Sequence, residues 1–189
     1  MRKIFLDCGA HCGCSVRKFR QETIDFEDYE IYCFEANHNL IPYLNKEPNI
    51  TVIHKAVWSK DSQQQFFILG TQPICGGSTL FASKAKKARL IETVETDTVD
   101  LSGWIMSNFN KDDYIFLKMD IEGAEYSTLD KMVEDGSIEY IDRFEGEWHA
   151  HKIGMSTKIT FDMIKKLKEY GLSSKEWNAI NREKYGCIG

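Results

Sequence analysis

The sequence predicts an α/β fold built on a mainly parallel sheet, and three observations carry that prediction. Apolar, β-rich runs alternate with stretches of helical period through most of the chain. The run Tyr114–Met119 is almost continuously apolar, as a central parallel strand covered on both faces must be. Acids and other polar groups fall at the predicted carboxyl ends of strands: Asp7, Glu35, Asp120, Glu145, Glu147 and His149. In open α/β sheets those ends border the ligand crevice.

With 189 residues the chain reads as one domain, 1–189, long enough for a three-layer core. Its 42% hydrophobic and 28% charged residues are ordinary for a soluble globular protein. The net charge of -5 argues against a nucleic-acid partner. No apolar run approaches the roughly 20 residues of a membrane span. Asp7 stops the run that begins at Ile4 far short of a signal-peptide core. A cytoplasmic location without membrane association is therefore expected. The sequence leaves the oligomeric state open.

The first strand is Ile4–Leu6, closed by Asp7. A glycine turn follows, with Gly9 and Gly13 flanking Ala10, His11 and Cys12. Glycines let the backbone approach a ligand closely, and the helix start beyond them directs N–H groups at it. The dinucleotide fingerprint is not met, because His11 stands where its second glycine belongs. A helix is predicted over about 15–26, with Val16, Phe19, Thr23 and Phe26 on one face. The strand Tyr29–Phe34 ends at Glu35, one βαβ unit from the glycine turn. A carboxylate there can accept hydrogen bonds from two ribose hydroxyls.

A short helix is expected over Asn39–Leu44, interrupted by Pro42, then strands at Ile50–Ile53 and Ala56–Trp58. Gln65–Leu69 reads as an edge strand. The segment 70–90, with Pro73, Gly76 and Gly77, has no clear period and reads as a mobile flap over the site. Its basic run, Lys84 to Arg89, reads as a solvated face; a docking patch for an anionic substrate is the less favoured reading. Glu92–Val99 alternates as a strand, and a helix is expected from Asp97 to about Phe109. After the central strand come a helix over Tyr126–Val133, a strand over Ile138–Phe144, and an amphipathic helix over Thr157–Tyr170 with Ile159, Phe161, Ile164 and Leu167 apolar. Gly171 stops it. Trp177 and Ile180 suggest one last strand.

Six cysteines are present, and Cys8, Cys12 and Cys14 with His11 form their only cluster. No second pair follows at zinc-finger spacing, so a zinc site there is the less favoured reading and no metal ligand is assigned. Cys8 suits a small core position, and the thiols are expected to be reduced.

Several motifs together resemble the FkbM-type methyltransferases. They are Asp7-Cys8-Gly9-Ala10-His11-Cys12-Gly13, Phe34-Glu35-Ala36-Asn37, Ala56-Val57, Gly77-Ser78-Thr79-Leu80, Thr96-Asp97-Thr98-Val99-Asp100 and Leu117-Lys118-Met119-Asp120-Ile121-Glu122-Gly123-Ala124-Glu125. The last is the most specific, and the resemblance spans roughly Ile4 to Trp148. It implies a Rossmann-like class I fold, with a mostly parallel seven-stranded sheet whose last strand is antiparallel. It also implies S-adenosylmethionine-dependent O-methyl transfer to a hydroxyl of a sugar, glycan or other small molecule. Asp7, Gly9, Ala10, His11 and Gly13 would then surround the methionine part of the cofactor. Glu35 would hold the ribose, Ala36 and Asn37 would lie beside the adenosine, and Ala56 and Val57 would line the adenine pocket. His11 replaces the family's usual Asn, and Ala36 its usual Pro.

The weakly nucleophilic hydroxyl needs a base or a metal, and it must be held in line behind the methyl group. Asp120 and Glu122 are the first candidates for base or positioning group. His149 follows, since its unperturbed pKa lies nearest neutrality, with His151 as a substitute. Glu122 reads equally well as a cap on the next helix. A divalent cation between Asp120, Glu145 and Glu147 suits hard oxygen ligands but is not the favoured arrangement, so no metal ligand is assigned. The alternatives are an inactive Rossmann-like nucleoside-binding module and, less favoured, a nicotinamide-dependent oxidoreductase.

Overall fold

The computed structural model describes residues 1–173, 175–177 and 184–188. Its central sheet holds, in spatial order, β3 (Thr51–Ile53), β2 (Tyr29–Phe34), β1 (Lys3–Cys8), β7 (Tyr114–Met119), β8 (Arg143–Gly146) and β9 (Lys175–Glu176). Every pairing in it is parallel. The order reverses between β1 and β7, which places a topological switch point at the centre of the sheet.

Alternation along the central strands builds two core layers. Phe5, Ile31, Cys33 and Phe116 pack on one face with Val16 and Phe19 of α1 (Cys14–Glu22). Phe5 and Phe19 stack with ring centroids 4.2 Å apart. Ile4, Leu6, Ile115 and Leu117 pack on the other face. There they meet α4 (Leu101–Asn108) through Leu101 and Ile105, and α5 (Glu125–Asp135) through Leu129 and Met132.

The seven-stranded sheet with an antiparallel last strand is not what forms. The central sheet has five strands of three residues or more plus the two-residue β9, and β9 runs parallel to β8. The remaining strands form a second sheet. In it β6 (Leu90–Asp100) pairs parallel with β4 (Ala56–Trp58) and antiparallel with β5 (Ser62–Leu69), the edge strand. A tight turn, in which the Lys55 N–H reaches the Ile53 carbonyl at 2.9 Å, separates β3 from β4 and divides the two sheets. Val57 and Val99 of the second sheet still enter the main core.

Smaller departures have local causes. The first helix stops at Glu22, and Phe26–Asp28 is a separate 3-10 turn. Pro42 lies in the first turn of α2 (Ile41–Leu44), where a missing N–H costs nothing. Asp97 stays in β6, and Asp100 caps α4 by accepting the Gly103 N–H at 3.3 Å. The apolar run from Ile138 is a 3-10 turn over Ser137–Tyr140; Ile138 and Ile141 are buried without strand pairing, and β8 begins only at Arg143. In α7 (Lys158–Glu169) Met163 and Leu167 face inward, with Ile159 one turn earlier, so Phe161 points outward and is 70% exposed.

The segment 70–90 is more structured than a featureless flap. Thr79 pairs back onto Phe67 with N···O distances of 2.8 and 3.0 Å, and α3 (Ala82–Ala85) follows. Trp177 is buried beside β9, whereas Ile180 lies outside the described residues. Among the described residues no helix is long and apolar enough to cross a membrane.

Candidate active site

The turn between β1 and α1 is shaped by the end of β7. Gly9 has φ +81°, and a Cβ there would lie 1.9 Å from the Asp120 carbonyl oxygen, so only glycine fits. The N–H groups of Gly9 and Ala10 both donate to the Phe34 carbonyl at 3.0 Å. His11, at φ 52°, donates its N–H to Glu35 Oε2 at 2.8 Å, and the Asn37 N–H reaches Glu35 Oε1 at 2.7 Å. One carboxylate thus ties the end of β2 to the glycine turn. Burial pushes its pKa up from the ordinary carboxylate value.

A cavity of about 450 Å³ opens over these strand ends. Gly9, His11, Glu35, Ala36 and Asn37 border it from β1 and β2, and Ala56 and Val57 give it an apolar wall with Phe66. Asp120 and Glu122 border it from the end of β7. Cys75, Gly76, Gly77, Ser78 and Leu80 contribute a further wall from the 70–90 segment.

Three predicted cofactor contacts do not border the cavity. Asp7 is fully buried beneath the turn, where its Oδ1 stands 2.9 Å from Lys118 Nζ and its Oδ2 accepts from the Ser15 hydroxyl. Lys118 also donates to the Gly9 carbonyl at 2.8 Å. Burial opposes its charge, but Asp7 and Asp120 outweigh burial and raise its pKa above the ordinary lysine value. Ala10 is buried in the core behind α1, and Gly13 caps that helix at φ +85°. These residues shape the turn from below.

Across the cavity, the turn after β7 carries Glu122 at φ 55° and Gly123 at φ 122°. Left-handed backbone at a non-glycine residue costs energy and clusters at functional sites. It sets the Glu122 carboxylate against Lys84, whose Nζ also donates to the Gly77 carbonyl at 2.6 Å. Burial raises the Glu122 pKa, but His149, Lys84 and Lys152 outweigh it and bring it below the ordinary value. Lys84 is therefore buried and paired rather than part of a solvated basic face, while Lys86, Lys87 and Arg89 are exposed. Asp120 is pushed up to about 6, chiefly by burial.

His149 is fully buried behind these acids rather than in the cavity wall. Its Nδ1 stands 2.8 Å from Glu125 Oε1. Its Nε2 lies 3.3 Å from Glu147 Oε1, 3.4 Å from Glu122 Oε2 and 3.7 Å from Asp120 Oδ1. Burial opposes protonation, but Glu125, Glu147 and Glu122 raise the pKa to about 10. The ring is thus a cation at neutral pH, not the near-neutral base that its ordinary pKa suggests. His151 is exposed. Glu145 stays away from this group, because its carboxylate pairs with Arg143 at 2.6 Å on the same face of β8. The cation arrangement of Asp120, Glu145 and Glu147 therefore does not form.

In the thiol cluster, His11, Cys12 and Cys14 bring donor atoms within 4.8 Å of one another. The Cys14 thiol and His11 draw the Cys12 pKa down. Cys8 does not join them; it is core, where burial pushes its thiol up. The structural roles of Lys118, Lys84 and Glu125 were not read from the sequence. For Lys118 the signal was present: a charge inside an apolar strand run is buried only if paired.

The family model of the methyltransferase FkbM domain matches residues 7–173. That span takes in the cavity-lining residues of the strand ends and of the 70–90 segment; Trp177, which also borders the cavity, lies beyond it. A search of curated proteins finds no match.

Proposed function

The chain belongs to the FkbM methyltransferase family, and from that premise we propose that it transfers a methyl group from S-adenosylmethionine to a hydroxyl of a sugar, glycan or other small molecule. The observation that carries the proposal is Glu35, a buried carboxylate bordering the cavity and locked to the glycine turn through the His11 and Asn37 N–H groups. Each of its oxygens keeps a lone pair for a ribose hydroxyl. The cavity volume falls in the range of roughly 300–1,000 Å³ typical of small-molecule sites, and Gly9 at its border lets the turn lie against the Asp120 carbonyl.

Glu35 binds the ribose, with Ala36 and Asn37 beside the adenosine. Ala56, Val57 and Phe66 supply an apolar wall for the base. Gly9 and His11 border the methionine part, and Asp7, Ala10 and Gly13 hold that backbone in shape from below. When bound, S-adenosylmethionine supplies an electrophilic methyl group. Asp120 borders the same cavity as Glu35, and in the ion-free site it takes the proton of the acceptor hydroxyl. A pKa of about 6 leaves it anionic at neutral pH yet a stronger base than an ordinary aspartate. Glu122, fixed by Lys84, positions the acceptor. His149 is buried behind both carboxylates and does not act as the base. The 70–90 segment serves as a flap over the bound ligands, since it already supplies part of the cavity wall.

Calorimetric titration with S-adenosylhomocysteine tests the cofactor. Transfer of a labelled methyl group to a panel of sugars and glycans tests the acceptor. Tight adenosyl binding in wild type, weaker but still measurable in Glu35→Gln, supports the reading. Binding without transfer to any acceptor favours the nucleoside-binding module, and binding of NAD alone favours the oxidoreductase.

A further inference from the structure

We infer that Asp120, Glu147 and Nε2 of His149 form a divalent-cation site at the edge of the cavity. Each offers one donor atom, and the three lie within 4.8 Å of one another. Metal–ligand bonds of about 2.0–2.6 Å allow ligands of one ion to stand at such separations.

The histidine carries the argument beyond a cluster of acids. His149 is 0% exposed, and its Nε2 has no hydrogen-bond partner although three carboxylates surround it. A buried polar nitrogen left without a partner is costly and marks a place for a ligand; a divalent ion there takes the place of the proton on Nε2, which is released to solvent as the ion binds. The other ring nitrogen is fixed by Glu125 at 2.8 Å. Glu125 is itself held, accepting the Ile121 N–H on Oε1 and the Gly123 N–H on Oε2 at 3.0 Å each. A carboxylate that holds the far nitrogen of an imidazole sets its tautomer and aims the near one at a metal.

Charge and chemistry agree with the geometry. Asp120, Glu122 and Glu147 border one end of the cavity, with Glu125 buried beside the imidazole and the ammonium groups of Lys84 and Lys152 against Glu122 and Glu147. Glu122 is taken by Lys84; Glu147 has only the longer lysine contact, 3.8 Å to Lys152, and its oxygen and that of Asp120 group with Nε2. Two carboxylate oxygens and one imidazole nitrogen suit Mn²⁺ or Mg²⁺ rather than a thiolate-seeking ion. Because Asp120 and Glu147 border the cavity, the remaining coordination positions face it. With the ion bound, Asp120 serves as its ligand rather than as the base, and a hydroxyl oxygen that completes the shell becomes more acidic. That use rests on the function proposed above; the cation site itself does not.

The test is titration of the chelator-treated full chain with Mn²⁺, without cofactor, following loss of the free-ion electron paramagnetic resonance signal. One ion per wild-type chain is expected. Affinity falls by about tenfold or more in Glu147→Gln, which alters a half-exposed side chain, and in Glu125→Gln, which leaves all three ligands in place but replaces the carboxylate that holds the imidazole and the Ile121 and Gly123 N–H groups. No saturable binding in wild type, or equal affinity in Glu147→Gln, overturns the inference. Mn²⁺ binding in a chain that fails to bind S-adenosylhomocysteine would leave the cation site standing and end the methyltransferase reading. The converse result would end the cation site alone.

Discussion

Gly9→Ala separates the two reasons a glycine can be required. Gly9 and Gly136 have nearly the same backbone, φ +81° and +82°, but different surroundings. A Cβ at Gly136, the C-cap of α5, meets nothing within 4 Å, whereas one at Gly9 would sit 1.9 Å from the Asp120 carbonyl oxygen. The left-handed conformation alone costs an L-residue roughly 1–2 kcal/mol. At Gly9 the ends of β1 and β7 must also separate, an overpacking cost of about 1–3 kcal/mol more. Since a domain of this size loses about 2–4 °C of midpoint per kcal/mol, Gly9→Ala should lower Tm by about twice as much as Gly136→Ala. It should also weaken S-adenosylhomocysteine binding, which Gly136→Ala leaves intact. Scanning calorimetry and titration of both variants give the answer. Equal losses of Tm, with cofactor binding unchanged in Gly9→Ala, would refute the close approach of the turn to β7.

Three other outcomes follow from the same geometry. Lys118→Met strands the fully buried Asp7 and should cost about 3–5 kcal/mol in urea unfolding, much of it recovered when Asp7→Asn is added. Because the Glu35 pKa is raised by burial, its carboxylate gains a proton on acidification before an ordinary carboxylate at about 4.3 does. S-adenosylhomocysteine affinity should therefore fall as pH drops towards that range in wild type, and stay flat in Glu35→Gln, as titration at stepped pH will report. Trypsin should cut at the exposed Lys86, Lys87 and Arg89 more slowly with S-adenosylhomocysteine and acceptor bound; equal rates would remove the flap.

The parts of the fold that could be read from the sequence were those set by local pattern. β2 matches its predicted span, β7 begins where expected, and α7 differs from its expected span by a residue at each end, because apolar period and flanking breakers fix them. Pairing between distant strands leaves no such local trace. Nothing in Ala56–Trp58 says that it will join β6 instead of the central sheet. The buried run from Ile138 misled for the opposite reason: apolar residues enter a core from a 3-10 turn as readily as from a strand. At the site, the sequence placed Glu35 and Asp120 beside one cavity, because acids at strand ends meet at the switch point. It could not tell Glu145 from Glu147, two residues apart, since the choice depends on Arg143 occupying the first. Nor could it show that Asp7 faces Lys118 beneath the turn, because that pairing depends on how β1 and β7 lie side by side.

The most direct test of the central claim is the thermal midpoint of wild type and Glu35→Ala with S-adenosylmethionine, S-adenosylhomocysteine and NAD. At about a hundred times its dissociation constant a ligand adds roughly 2.7 kcal/mol, which in this chain should raise Tm by about 5–11 °C. A shift of that size with the two adenosyl ligands only, absent in Glu35→Ala, is the expected result. A shift with NAD alone, or none with any ligand in wild type, would contradict the cofactor assignment and the function built on it.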